Sequence, residues 1–196
     1  MTSMTIADLT AKIKSGEVDT VVVAMTDMQG RLTGKRIHGN FFLDEVLKHG
    51  TEGCNYLLAV DVDMNTVDGY EMSSWERGYS DFALVPDMDT LRMIDWQEGA
   101  ALVLADVQWL DHTDVVASPR QILRKQVKAL KDAGMEAMCG TELEFVVYKD
   151  TYEEAWNKGY KNLIPVNQYN VDYSILGGSR IEPLLRRIRL SMAKAG

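Results

Sequence analysis

Cysteine is scarce in this 196-residue chain: only Cys54 and Cys139, each in an apolar stretch without a partner at metal-ligand spacing. That leaves a disulfide framework or a cysteine zinc site without support, and two reduced thiols in a cytoplasmic protein are expected. Long hydrophobic runs are lacking too, none approaching the ~20 residues that cross a bilayer. The start, Met1 to Asp8, has neither the basic region nor the apolar run of a signal peptide. Basic residues are outnumbered, 21 Lys and Arg against 29 Asp and Glu, for a net charge of −8. So acidic a chain is a poor partner for nucleic acid or an anionic membrane, and suits cations, amines or metal-shielded anions. His38, His49 and His112 lie far apart, at no spacing that suggests zinc ligands or a nucleophile's base. Walker A, Gly-x-Gly-x-x-Gly and Gly-x-Ser-x-Gly motifs do not occur. Internal repeats and low-complexity tracts are absent as well.

What is present describes a globular protein. Apolar residues make up 46% of the chain, enough buried surface to offset chain entropy. Thr5 to Gly16 reads as a helix, with Thr5 as cap, Asp8 at N3 and Gly16 as stop. The β-branched run after Asp19, the turn Asp27-Met-Gln-Gly30 and the polar run from Arg31 predict a hairpin with one exposed arm. Asn40 is expected to cap a helix to about His49, with Gly50 ending it. Strands are expected over Cys54–Asp61, Phe82–Pro86 and Ala100–Val107. Residues 15–108 thus read as a small mixed sheet with one or two helices. Beyond a polar joint at Asp111–Asp114, Ser118, Pro119 and Gln121 predict a capping box opening a helix that ends near Gly134. A strand from Met135 to Tyr148, a short helix from Thr151 to Lys158, and an irregular stretch 160–178 are expected next. Ser179 is then expected to cap a last helix, with Glu182 at N3 and Leu184, Leu185, Ile188 and Met192 inward. Residues 115–196 offer too few strands for a sheet, so this second domain is expected to be incomplete.

Two segments carry candidate chemistry. In Gly140-Thr-Glu-Leu-Glu-Phe, a strand would put Glu142 and Glu144 on one face, about 6.6 Å apart. That spacing suits two neighbouring divalent ions, each taking one carboxylate, better than one Mg²⁺. Two acids on the wet face of a strand is the plain alternative, and spacing alone favours it. In the long irregular segment 62–80, Tyr70 and Trp75 beside Glu71, Glu76 and Asp81 suggest a pocket for a cationic amine. A surface loop with one anchoring Trp is the alternative there. Lys35 and Arg36 offer a weaker phosphate site, against an exposed strand of mixed charge.

Taken together, four ordered motifs resemble the glutamine synthetase family. They are Asp27-Met-Gln-Gly-Arg-Leu-Thr-Gly-Lys-Arg-Ile, Ser80-Asp-Phe-Ala-Leu-Val-Pro-Asp87, Ser118-Pro-Arg-Gln-Ile-Leu and Gly140-Thr-Glu-Leu-Glu-Phe. The segments Gly53–Leu58, Asp61–Met64 and Gly69–Tyr79 resemble the branch of γ-glutamylpolyamine and γ-glutamylputrescine synthetases. Ammonia-using members carry Phe-Asp-Gly-Ser-Ser in this loop, where Glu71-Met72 precedes Ser73-Ser74 here. The resemblance implies an α+β protein: a β-grasp-like domain over residues 15–110, then the truncated start of the catalytic α/β domain over 115–196. It implies a ligase that joins the γ-carboxylate of glutamate to an amine through a γ-glutamyl phosphate, with ATP as co-substrate. Mg²⁺ or Mn²⁺ would be held in part by Glu142 and Glu144. A homo-oligomer of stacked rings is implied, in which the 62–80 loop serves a neighbour's site. Glutamine synthetase proper and a non-catalytic assembly protein are the alternatives. The remaining family ligands would lie past position 196, so the 196-residue chain alone is expected to be inactive.

Overall fold

The computed structural model describes residues 4–196. Met1–Ser3, where the signal-peptide reading begins, lie outside the described residues. The chain forms two compact units: Met1–Ala137 with Lys194–Gly196, and Met138–Ala193.

The first unit is built on a five-stranded mixed sheet. Its strands are β1 (Thr20–Thr26), β2 (Leu32–His38), β3 (Thr51–Cys54), β4 (Asp81–Met93) and β5 (Ala100–Gln108), in the order β2-β1-β5-β4-β3. β1 and β5 run parallel at the centre, Thr20 beside Ala100 and Ala24 beside Leu104. Every other pairing is antiparallel. Val21, Val23 and Met25 of β1 and Ala101, Val103, Ala105 and Val107 of β5 are buried at every second position, the period of a strand with one face in a core. Leu9 of α1 (Ile6–Ser15) and Phe42 and Val46 of α2 (residues 39–49) belong to the same core. α1 starts and stops as expected: Thr5 and Asp8 form a reciprocal capping box, and Gly16 takes the left-handed conformation at its end. The exposed β2 arm is also as expected. β2 approaches β1 closely at Gly34, where a Cβ would lie 2.0 Å from the Val23 carbonyl oxygen.

Several local expectations fail for identifiable reasons. α2 begins at Gly39, so Asn40 lies inside it rather than capping it, and Phe42–Val46 form a π-helical turn. Only Cys54 of the expected strand Cys54–Asp61 is in a strand. The apolar run beyond it turns through a 3₁₀ segment, Asn55–Leu58, that buries Leu58. A short apolar run does not by itself distinguish a strand from a helical turn. Ser118 precedes α3 (Pro119–Asp132), but the capping box does not form. Its hydroxyl is buried without a partner, and Gln121 donates instead to Asp114. Gly134 does take the left-handed C′ position, with Met135 N–H donating to the Leu130 carbonyl.

In the second unit, α4 (Tyr152–Asn157) carries the Thr151–Glu154 capping box. Asp150 accepts hydrogen bonds from Lys158 Nζ and from the Ile164 backbone N–H at 2.7 Å. These bonds hold its carboxyl below the usual range, those from Lys158 and then Ile164 outweighing its modest desolvation. A further helix, α5 (Ile175–Ser179), lies in the stretch expected to be irregular. Ser179 ends α5 and donates to the Ile175 carbonyl, so it does not cap α6 (Glu182–Ala195). Leu184, Ile188 and Met192 are exposed rather than inward. The expected strand Met135–Tyr148 is not formed: among the described residues its ladder is one bridge, Tyr148 with Pro165, and Met138 is 99% exposed. Alternation selects a face, but a strand also needs a neighbour to take its N–H and C=O groups.

Candidate functional site

The 62–80 segment follows the 3₁₀ turn after β3 and returns to the sheet at β4, and three sets of bonds shape it. At its start, Asp61 accepts backbone N–H bonds from Asp63 and Asn65, both at 2.9 Å, closing a tight turn. Hydrogen bonds from the Asn65 side chain and backbone keep the Asp61 carboxyl acidic against weak desolvation. Arg31 of the hairpin turn then reaches across to the segment. Its Nε donates to Asp27 Oδ2 at 2.7 Å and its Nη1 to the Val62 carbonyl at 2.8 Å. Asp27 is buried, and burial pushes its carboxyl up. Hydrogen bonds from the Arg31 side chain and the backbone of Arg31 and Gln29 outweigh that and hold it below its ordinary value. At the far end, the buried Asn55 side chain donates to the Met72 carbonyl at 2.8 Å.

Between these anchors lies a cleft of about 590 Å³ lined by Asp68, Tyr70, Glu71, Trp75, Glu76 and Arg77, with Gly69 and Ser74. Trp75 is 77% exposed, and its ring meets Tyr79 edge-on, centroids 5.5 Å apart. Arg77 donates to the Glu71 carbonyl at 2.9 Å. Three carboxylates and one guanidinium beside two open aromatic faces give a net acidic, π-rich cleft, the surroundings that favour an organic cation. Tyr70, Glu71, Trp75 and Glu76 are therefore together as the sequence suggested. Asp81 is not among the lining residues; it opens β4. Asp68 and Arg77 were missed, because neither has a pattern to mark it. Lys35 and Arg36 lie on the exposed β2 arm.

Glu142 and Glu144 are both exposed, on backbone without strand pairing. Among the described residues no group of three His, Cys, Asp or Glu is arranged to hold a metal ion. As arranged here, two carboxylates do not make a complete site for an ion that takes six or more oxygens. Among the described residues no helix is long and apolar enough to cross a membrane.

A cluster with a structural role joins two of the sequence motifs. Asp87 and Asp106 share the sheet face opposite the helix-covered core, and the first two turns of α3 bring Arg120 and Arg124 to them. Arg120 Nε reaches Asp106 at 2.8 Å, and its Nη2 reaches Asp87. Arg124 reaches Asp106 at 2.6 Å and Asp87 at 3.2 Å.

Residues 116–196 match the family model "Glutamine synthetase, catalytic domain". The chain belongs to the glutamine synthetase family. Within it, the chain is 62% identical to a gamma-glutamylethanolamide synthetase of Streptomyces coelicolor, over 97% of this chain and 41% of that relative. It is 32% identical to a glutamate–isopropylamine ligase of a Pseudomonas species, over 94% of this chain and 40% of that relative. The chain thus spans about two fifths of the length of these curated relatives. Among solved structures, ligand-free GmaS superposes with a TM-score of 0.66 at 15% identity, covering 96% of this chain and 40% of that one. A glutamine synthase homolog superposes with a TM-score of 0.63 at 17% identity, covering 91% and 39%. At these identities the likeness is one of fold.

Proposed function

We propose that the chain supplies the acceptor loop and the opening of the catalytic domain to an ATP-dependent glutamate–amine ligase. In this reaction ATP phosphorylates the γ-carboxylate of glutamate, and the amine then displaces phosphate to leave a γ-glutamyl amide. The acidic, aromatic 62–80 cleft carries this reading. An alkylammonium ion gains from both the carboxylates and the Trp75 and Tyr70 faces, whereas ammonium has no alkyl part to lay on them. The relatives whose names state an ethanolamide and an isopropylamine support an organic acceptor. A polyamine, with two or more cationic centres, suits the same charge.

The finer architecture belongs to the same proposal. Residues 15–110 are read as a β-grasp-like domain, with the parallel β1–β5 pair at its centre, and 115–196 as the start of the catalytic domain. Glu142 and Glu144 are assigned to a larger carboxylate set for Mg²⁺ or Mn²⁺, which would neutralise phosphate charge when bound. The whole protein is expected to assemble as stacked rings that place the 62–80 loop at a neighbour's site. The test is glutamate-dependent phosphate release by the whole protein with ethanolamine, isopropylamine, putrescine and ammonium as acceptors. An organic amine is expected to give the highest kcat/KM, and a preference for ammonium would overturn the reading.

A further inference from the structure

Asn55 holds both stems of the segment that forms one wall of the cleft. It is the first residue of the 3₁₀ turn after β3 and is 3% exposed. Its Nδ2 donates to the Met72 carbonyl at 2.8 Å, and its Oδ1 accepts from the Ser80 N–H at 3.3 Å. Its own backbone N–H donates to the Ser80 carbonyl at 2.8 Å. Met72 packs on the hydrophobic core and Ser73 is buried beside it. The tip beyond is closed on itself, with Gly78 N–H on the Ser74 carbonyl at 2.9 Å and Arg77 N–H on Ser74 Oγ at 3.1 Å. Ser74, Trp75, Glu76 and Arg77 therefore sit on a small closed tip whose base is pinned by one buried amide.

We propose that Asn55 is a positioning residue for acceptor selection: by joining Met72 to Ser80 it fixes where the tip presents Trp75 and Arg77 to an amine. The proposal rests on the cleft being the acceptor site. Only an amide of this length offers a donor to one stem and an acceptor to the other from a buried position. A carboxylate there keeps the bond from Ser80 but sets two acceptors against each other at Met72. A hydroxyl can serve only one stem well.

Two measurements test this. In the 196-residue chain, hydrogen exchange of the 72–80 amides is followed in Asn55→Asp and Asn55→Ser, with the β1 and β5 amides as the control for folding. Exchange at 72–80 is expected to quicken by about tenfold or more, the size of one lost buried hydrogen bond, while β1 and β5 stay protected. Unchanged exchange at 72–80 overturns the proposal. Should Asn55→Asp lose protection throughout, Asn55→Ser, which keeps a small polar group, decides. In the whole protein, Asn55→Ser is expected to raise KM for the amine by about tenfold, leaving KM for ATP and glutamate within about twofold. Trp75→Ala is the parallel arm: no change in its amine KM shows that the cleft is not the acceptor site. A raised amine KM in Trp75→Ala with an unchanged one in Asn55→Ser overturns the role of Asn55 alone.

Discussion

Arg120 Nε lies 2.8 Å from Asp106 Oδ1, and this bond, with its three companions, ties the start of α3 to the central strand β5 and, through Asp87, to β4. Two carboxylates side by side on a sheet repel each other. Two guanidiniums spaced one helical turn apart resolve that cost only if the helix crosses in one orientation. Arg120→Leu removes the better-buried cation and leaves only the half-exposed Arg124 to bridge Asp87 and Asp106. A loss of about 2 kcal/mol is expected, below the 3–5 kcal/mol of fully buried pairs because these side chains keep some solvent. Urea denaturation followed by far-ultraviolet circular dichroism measures it. Arg120→Lys, which cannot bridge both carboxylates through one planar fork, should recover less than half of the loss.

Thr90 repairs a break in the same sheet. Between Asp87 and Arg92 the β4–β5 register slips. The Thr90 hydroxyl fills the gap, donating to the Asp87 carbonyl at 2.6 Å and accepting from Leu104 N–H at 2.8 Å. Thr90→Val keeps the shape and the β-branch but leaves the Leu104 N–H unpaired, at a cost of about 1–2 kcal/mol. Thr90→Ser should restore most of the stability in the same denaturation experiment. Equal stability of the Val and Ser variants would show that the hydroxyl contributes nothing.

Asp27 predicts how the fold answers acid. Its carboxyl is held below its ordinary value in the folded protein, so the ionised form is favoured by folding. The stability it contributes is present in full above the unfolded carboxylate's value, near 3.8, and is lost as pH falls through the lower folded value. Asp27→Asn should therefore be less stable at pH 7 than the parent, while the gap narrows below about pH 3.8. Thermal unfolding at pH 7, 5 and 3 measures this. A gap of constant size would show that the Arg31 pairing has no protonation dependence.

How much of this was legible in the sequence depended on how local each determinant is. The α1 cap needs only residues three apart, and Thr5 and Asp8 form it as the sequence suggests, whereas the same spacing at Ser118 and Gln121 does not close, and the Thr151–Glu154 box of α4 was not foreseen. The hairpin and the β-branched strands were legible because alternation against a core is a strong signal. The Asp87–Arg120 contact spans 33 positions, so the motifs could be noticed but not joined. Asn55 was hidden inside an apolar run that reads as a strand, and its two partners lie 17 and 25 positions away. The segment 135–147 failed differently. Its pattern is that of a strand, but a strand is a property of a pair of segments, and among the described residues only its end is paired, where Val166 N–H donates to the Val147 carbonyl beside the Tyr148–Pro165 bridge.

That segment sets the last prediction. Glu142 and Glu144 are exposed, and no third His, Cys, Asp or Glu joins them among the described residues. Divalent ions such as Mg²⁺ take six oxygens, so two carboxylates would leave most of the shell to water. Each carboxylate is then free to leave one at a time, because neither Glu142 nor Glu144 lies on paired backbone that would fix their separation. The 196-residue chain should therefore bind Mg²⁺ or Mn²⁺ only weakly, with Kd on the order of 1 mM, as sparse oxygen sites do. Titration calorimetry with each ion measures it. Glu142→Ala and Glu144→Ala should each abolish what heat there is, without changing the unfolding temperature of the first unit. Micromolar binding that survives both substitutions would place a divalent site elsewhere in the chain. Micromolar binding lost in either would mean that Glu142 and Glu144 already belong to a complete ligand set in this chain, against the exposed arrangement described here.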